Sequence, residues 1–279
     1  ECLTLVVPLS DLLVPLKLFI DGLISPLRIP QVEVAAGDKD IAIILRNLEP
    51  LSDSDRRAIS DFSRACGVRT YTQSGGYETV TPASESAEQP YLGYQNSDYG
   101  LHFLFAPTDF TQVNLAMNQK LVRAAVNGLA APAGSRVLDL FCGIGNFSLA
   151  LAATGLEVRG LEASANSIER AEMNARHNRL SRQCEFTVQD LYDADCLNLG
   201  QAEYILLDPP RSGAGPNLSA WLEGTGARRV AYVSCSPKSF AQDAAVLKRA
   251  GFSLEQVGIY DMFPNTAHVE TLGIFRRSW

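Results

Sequence analysis

The sequence predicts an α/β protein, with a mainly parallel sheet covered on both faces and a smaller α+β unit in front of it. Three observations carry this reading. From Tyr91 onward, short apolar strands alternate with helical segments. The first of those strands runs into a Gly-x-Gly turn and a helix. The chain divides near residues 80–105, next to a loop, GGYETVTPASESAEQP, rich in Gly, Ser, Thr and Pro and without apolar period. At 279 residues and 46% hydrophobic, the chain can fill one large core or two smaller ones, and the expected division is 1–105 and 106–279.

Taken in order, the front unit opens with LTLVVPLSDLLVPLKLFI. Pro8, Ser10, Asp11, Pro15 and Lys17 interrupt this stretch too often for a membrane span, and no basic segment precedes it, so it reads as a soluble helix. The chain begins at Glu1 without a methionine, which suggests a fragment or a processed chain. DIAIILRNLEPL reads as a strand and turn, SDSDRRAISDFSRACG as a capped helix ending at Gly67, and VRTYTQ as a short strand. In the second unit a helix is expected over Thr111–Leu129, with Val113, Met117, Leu121 and Ala124 on one face. Then follow strand RVLDLF, a helix from Asn146, strand EVRGLE, helix SANSIERAEMNARHN, and strands CEFTVQD, YILLDPP and RVAYVSC. Helix KSFAQDAAVLKRAG and strands SLEQVGIYDMF and HVETLGIF close the chain.

The net charge of −7 argues against non-specific binding to polyanions, while leaving room for a local basic face. The six cysteines (Cys2, Cys66, Cys142, Cys184, Cys196, Cys235) show neither a CxxC pair nor the spacing of a secreted scaffold. A reduced, cytoplasmic protein is expected, with no complete metal site from ligands close in sequence.

Ligands of such sheets bind beyond the carboxyl ends of the strands, and Asp139–Gly145, Glu162, Asp190, Asp208–Arg211 and Ser234–Pro237 all fall there. In DLFCGIGNF, Gly143 and Gly145 let backbone approach a ligand where a Cβ would collide. A dinucleotide fingerprint would need a third glycine where Ser148 stands, so a pyrophosphate is not the expected ligand. Glu162, at the end of the second strand, can accept hydrogen bonds from both ribose hydroxyls, and Asp190 can accept from an adenine amino group. A nucleoside without a pyrophosphate fits these features better than a dinucleotide, and S-adenosyl-L-methionine is such a ligand.

LLDPPRSG contains a strand-end acid, Asp208, and two prolines that stiffen the loop beside the expected methyl donor. Amino-group methyltransferases need an aromatic residue where this chain has Arg211, and that departure separates it from them. YVSCSP displays Cys235 at an open strand end, either as a nucleophile or as a small buried hydrophobe. In DMFPNTAHVE, His268 and Glu270 open the last strand two apart. His268 reads as structural, whereas Glu270 lies among apolar neighbours that would raise its pKa towards use as a base.

Together and in this order, DLFCGIGNF, LLDPPRSG, YVSCSP and DMFPNTAHVE resemble the RNA uracil-C5 methyltransferase family, over nearly the whole chain. APTDFTQVN, Ala106–Asn114, is similar to the stretch that introduces the family's catalytic domain, and IILRNLEPLSDSDR resembles the branch acting on 23S ribosomal RNA more than the transfer RNA branch. The resemblance implies a Rossmann-like S-adenosylmethionine-dependent methyltransferase sheet over 106–279 behind a partial central domain over 1–105. It implies Cys235 as the nucleophile and Glu270 as the proton-abstracting base, with cofactor contacts at Gln112, Phe141, Asn146, Glu162, Asp190 and Asp208. It further implies a flipped uridine of 23S ribosomal RNA as substrate, no membrane, and a monomer. The family carries a 4Fe–4S cluster held by a three-cysteine run and one further ligand. Cys2 resembles that last ligand, and the run and the amino-terminal RNA-binding barrel are not in this chain, so a cluster is expected only in a longer one.

Rival readings are a catalytically silent RNA-binding protein on the same fold, which would lack Cys235 or Glu270, and the same chemistry on transfer RNA. An RNA cytosine-C5 methyltransferase would show a second cysteine after its proline motif, where Ser212 and Gly213 stand.

Overall fold

YILL, RVAYV and RVLDL are near-continuous apolar runs because their strands lie between two layers and neither face meets water. The computed structural model describes residues 5–24, 28–83 and 91–277, in two compact units.

The first unit comprises 1–94 and 104–109. Helix α1 (Val7–Asp21) forms despite Pro15 inside it. A four-stranded sheet follows, in the order β1 (Gln31–Ala36), β2 (Ile41–Arg46), β3 (Arg69–Gln73), β4 (Thr81–Pro82). β2 and β3 are parallel, and α2 (Asp53–Cys66) makes the crossover between them. The Ser52 hydroxyl accepts the Asp55 backbone N–H at 3.1 Å to start α2, and Gly67, at φ 64°, ends it in a left-handed cap. Ile43, Leu45, Ile59, Phe62 and Val68 fill this core, with Phe19 stacked on Phe62 at 4.4 Å. Among the described residues no helix is long and apolar enough to cross a membrane.

The chain passes to the second unit through a hairpin of β5 (Leu92–Asn96) and β6 (Leu101–Phe105), which the sequence reading did not assign although alternate positions of both strands are buried. The second unit comprises 95–103 and 110–279. Its helix α3 (Leu115–Leu129) begins later than the apolar pattern suggests, because the Asn114 side chain caps it by accepting the Met117 N–H at 3.1 Å. A seven-stranded sheet follows, built of β7 (Arg136–Leu140), β8 (Glu157–Glu162), β9 (Cys184–Val188), β10 (Tyr204–Leu207), β11 (Arg229–Ser234), β12 (Phe252–Tyr260) and β13 (Glu270–Arg277). Their spatial order is β12-β13-β11-β10-β7-β8-β9, parallel from β11 to β9 and antiparallel at β13 and β12.

Helices α4 (Asn146–Ala153), α5 (Ala165–His177), α6 (Leu218–Gly224) and α7 (Pro237–Arg249) complete the layers. Leu138, Leu140, Leu161, Ile205, Leu207, Val230 and Tyr232 pack on one face against Trp221 and Leu222 of α6 and Leu247 of α7. The alternate residues face the other way: the Asp139 carboxylate meets Ser148 of α4, and a Cβ on Gly160 would stand 2.6 Å from the Phe186 ring. This α/β sheet, covered on both faces, is the architecture that the alternation of strands and helices implies.

Trp221 is fully buried and its indole N–H donates to the Cys196 carbonyl at 2.7 Å. We expect Trp221→Ala to lower the urea stability of the second unit by about 3–5 kcal/mol. A loss below about 1 kcal/mol would show that α6 does not anchor this core.

Candidate active site at the carboxyl edge of the sheet

The carboxyl ends of β7, β8, β9, β10 and β11 lie along one edge, and β13, running the other way, brings its amino end there. The Gly-x-Gly turn is built for that edge. Gly143 (φ 53°) and Gly145 (φ 89°) are both left-handed, and a Cβ on Gly145 would stand 2.7 Å from Leu149 Cδ1. Phe141, at φ 66°, adopts the same region without being glycine, and its N–H donates to the Leu161 carbonyl at 2.9 Å.

Glu162 accepts the Gly143 N–H at 3.3 Å and the Ser164 N–H at 3.0 Å, which ties the end of β8 to the turn after β7. Asn146, at the start of α4, exchanges two 2.9 Å hydrogen bonds with the buried Asn118 of α3. Asp190 is exposed just beyond β9 and accepts the Tyr192 N–H at 2.9 Å. Gln112 is half-buried in the segment before α3, and the Asp208 N–H donates to the Leu140 carbonyl at 3.3 Å.

Cys235 and Glu270 come together through strand register. Ser234 pairs with Thr271 in the β11–β13 ladder, so Cys235 and Glu270 are the next facing positions beyond it. Glu270 is 3% exposed, and burial, reinforced by the Asp208 carboxylate, pushes its pKa up to about 7 against the opposing pull of the Arg211 guanidinium. Burial also raises the Cys235 thiol, and Glu270 and Asp208 raise it further. Arg211 opposes them, by its charge and by a hydrogen bond to the thiol. The Ser236 N–H donates to Ser234 Oγ at 3.2 Å, and the Ser236 side chain caps α7 by accepting the Ser239 N–H, so Cys235 sits at a helix N-terminus whose dipole favours a thiolate.

Beneath this edge lies Asp139, fully buried in the middle of β7. The Ser148 hydroxyl donates to its Oδ2 at 2.5 Å, while Oδ1 has no hydrogen-bond partner among the described residues. Burial raises its pKa to about 7, and Asp208 is likewise raised to about 7 by burial.

One expectation is corrected. β13 starts at Glu270, so His268 precedes the strand and does not share a face with Glu270. It is exposed, with its N–H donating to Thr266 Oγ1 at 3.2 Å and its ring edge-on to Phe263. The Thr266 turn fixes this segment before the ladder can begin. Cys2 lies outside the described residues, and among those described no three His, Cys, Asp or Glu side chains gather as a metal site. Sequence reasoning assigned no part to Asp139, Asn118, Tyr192 or Arg211. An acid inside the apolar run RVLDL was a signal for the first, and Arg211 stood out only as a departure from another enzyme class.

A family profile described as tRNA (Uracil-5-)-methyltransferase matches residues 93–278. The 23S rRNA (uracil(1939)-C(5))-methyltransferase RlmD of Hahella chejuensis is 39% identical over the whole chain, which covers 64% of that protein. Its namesake in Thiobacillus denitrificans is 41% identical, across 99% of this chain and 65% of its own length. The chain thus spans about three fifths of the length of these curated relatives. Among solved structures, the Pyrococcus abyssi tRNA (uracil-54, C5)-methyltransferase in complex with S-adenosyl-L-homocysteine superposes with a TM-score of 0.70 at 21% identity, covering 87% of this chain and 58% of that one. That likeness establishes the fold, the α/β sheet of that enzyme.

Asp139, Asp208 and Glu270 hold their protons more tightly in the folded chain than when unfolded, because burial penalises the anions. Their contribution to stability is therefore complete below ordinary carboxylate pKa values and is lost as pH rises through about 7. The ligand-free chain should melt at a higher temperature at pH 6 than at pH 8, and Asp139→Asn should reduce that difference while leaving the share of Asp208 and Glu270. A melting profile that is level between these two values in the unsubstituted chain would contradict the assignment.

Proposed function

Because the chain belongs to the tRNA (uracil-5-)-methyltransferase family, we propose that it methylates carbon 5 of a uridine in 23S ribosomal RNA, using S-adenosyl-L-methionine. The observation that carries this reading is the facing pair Cys235 and Glu270 beside the Gly143–Gly145 turn. Ribosomal rather than transfer RNA is favoured because relatives near 40% identity bear the 23S name, whereas the transfer RNA enzyme of known structure is 21% identical.

The residues suit the cofactor. Nothing lies within 4 Å of a Cβ built on Gly143, so the turn is open on the side a ligand would approach. The Glu162 carboxylate would accept ribose hydroxyls, Asp190 the adenine amino group, and Gln112, Phe141, Asn146 and Asp208 would complete the contacts. When bound, S-adenosyl-L-methionine supplies an electrophilic methyl group.

Carbon 5 of uracil is a poor nucleophile, and the protein's part is to change that. The Cys235 thiolate forms a bond to carbon 6, which moves the C5–C6 π pair into an enolate over carbon 5 and O4. Carbon 5 would then form a bond to the methyl group that the cofactor supplies, the S–CH3 bonding pair staying on sulfur as S-adenosyl-L-homocysteine leaves. Glu270, ionised, removes the carbon 5 proton; that bonding pair re-forms the double bond and expels the thiolate. With its pKa near 7, Glu270 is poised to hold and release that proton at neutral pH. The charge of Arg211 acts on both the thiol and the carboxylate and offsets part of the mutual repulsion of the anions. A uridine in structured RNA must be flipped out to reach this edge. All groups named come from one chain, so a monomer suffices. Cys66, Cys142, Cys184, Cys196 and Cys235 are free thiols, in keeping with a cytoplasmic setting.

Two measurements test this. Calorimetry with S-adenosyl-L-homocysteine on Glu162→Ala should show binding weaker by about 1–3 kcal/mol, the cost of losing hydrogen bonds to a charged group; unchanged affinity removes Glu162 from the site. The second separates addition from release, with 23S and transfer RNA fragments as alternative substrates. Cys235→Ala should neither methylate nor cross-link, whereas Glu270→Gln should transfer the methyl group and remain covalently bound to the 23S fragment on a denaturing gel. Normal turnover by Glu270→Gln, or adducts with transfer RNA alone, would sink the corresponding part of the reading.

A further inference from the structure

The loop from Asp208 to Gly215 carries Arg211 past Cys235 and Glu270, and it is fastened on two sides. On one side Asp243 of α7 accepts the Ala214 N–H at 2.8 Å and the Tyr232 hydroxyl, and a Cβ on Gly213 would stand 2.6 Å from Asp243 Oδ2. This fastening joins the loop to its own layer of the core. On the other side stands Tyr192, two residues beyond Asp190. Its hydroxyl donates to the Gly213 carbonyl at 2.6 Å, which leaves Ser212 Oγ, 2.9 Å away, to donate to it in turn. Its ring lies where Gly215 has no side chain, with ring carbons 2.6 Å from the position a Cβ would take, and Gly215 is left-handed at φ 88°. The same ring rests against Phe141 at 5.8 Å between centroids.

Tyr192 thus touches both halves of the site. Its backbone N–H is bound to the Asp190 carboxylate and its ring to Phe141, both on the cofactor side. Its hydroxyl holds Ser212 and Gly213, immediately after Arg211. Tyr192 is 38% exposed, whereas the half-buried Asp243 holds the fully buried Tyr232 and Ala214, so the Tyr192 fastening can open without breaking the core. Phe141 is held in a left-handed conformation that a non-glycine residue adopts only under constraint, so a ligand that shifts Phe141 shifts the ring packed on it.

We propose that Tyr192 is a positioning residue, a latch that fixes the Arg211 loop in register with the cofactor half of the site, so that filling one half orders the other. This rests on the proposed function for the identity of the two ligands. Coupling of this kind is reciprocal: cofactor that tightens the latch tightens RNA binding by the same factor. The Arg211 loop is then a moving part of the site, and Tyr192 decides when it is in place.

The test is Tyr192→Phe, which keeps the ring and removes the hydroxyl. Hydrogen exchange of the Arg211–Gly215 amides is followed with and without S-adenosyl-L-homocysteine, and affinity for a 23S RNA fragment is measured in both states. In the unsubstituted chain the cofactor product should slow exchange in the loop and tighten RNA binding by about fivefold or more, the lower end of ordinary coupling. In Tyr192→Phe the affinity for S-adenosyl-L-homocysteine alone should stay within about twofold while both effects vanish, and KM for RNA should rise more than kcat falls. A residue that only supports the fold would lower the melting temperature and leave the coupling intact, and that outcome overturns the latch. Equal loop protection in the two proteins overturns it too. An unsubstituted chain that binds neither S-adenosyl-L-homocysteine nor RNA overturns the functional reading, and the latch with it, whereas binding without coupling overturns the latch alone.

Discussion

The β11–β13 ladder is the constraint on which the site depends. Each parallel strand from β9 to β11 ends at the same edge, but a parallel sheet alone supplies only strand ends, each leading into a loop. β13 enters antiparallel, between β11 and β12, and so sets a strand start against a strand end. With Ser234 opposite Thr271, a thiol and a carboxylate distant in sequence become neighbours held by backbone hydrogen bonds rather than by loops. A slip of one residue would carry Glu270 to the opposite face of the sheet and separate the pair. Tyr232, Val233, Leu272 and Ile274, all buried in the same ladder, are what make such a slip costly.

The edge so formed concentrates charge where water is scarce. Asp139, Asp208 and Glu270 are buried deeply enough that their carboxyls are all raised to about 7. Asp139 is partly satisfied by Ser148, and Arg211 is the cation that acts on both Cys235 and Glu270. Burial and the two carboxylates raise the thiol, and Arg211 offsets part of that rise. The side of the edge proposed for the cofactor is organised by another means. Its groups are bound mainly through backbone N–H donors and paired amides, so Glu162 and Asn146 are positioned before any ligand arrives.

Much of this was legible from local pattern. The capped helix ending at Gly67 and the apolar runs of β7, β10 and β11 arise from interactions spanning a few residues, and those rules hold wherever the segment ends up. β1 was not legible, since it buries neither face and its pairing partner decides it, while the β5–β6 hairpin was passed over although its buried positions alternate. His268 illustrates the same limit: Thr266 holds a turn through bonds that a strand reading of HVETLGIF overlooks.

By itself the sequence determined the α/β class, the alternation of the central strands and helices, the glycine turn, and the presence of a thiol and an acid at strand ends, because periodicity, capping and backbone freedom are local properties. Only the tertiary structure decided which of those ends meet. The register that faces Cys235 with Glu270, the burial that moves three carboxyls towards neutrality, and the Tyr192 contact between Phe141 and Gly213 all join residues remote in sequence. Their energies depend on distance and on the exclusion of water, and neither exists until the sheet has closed.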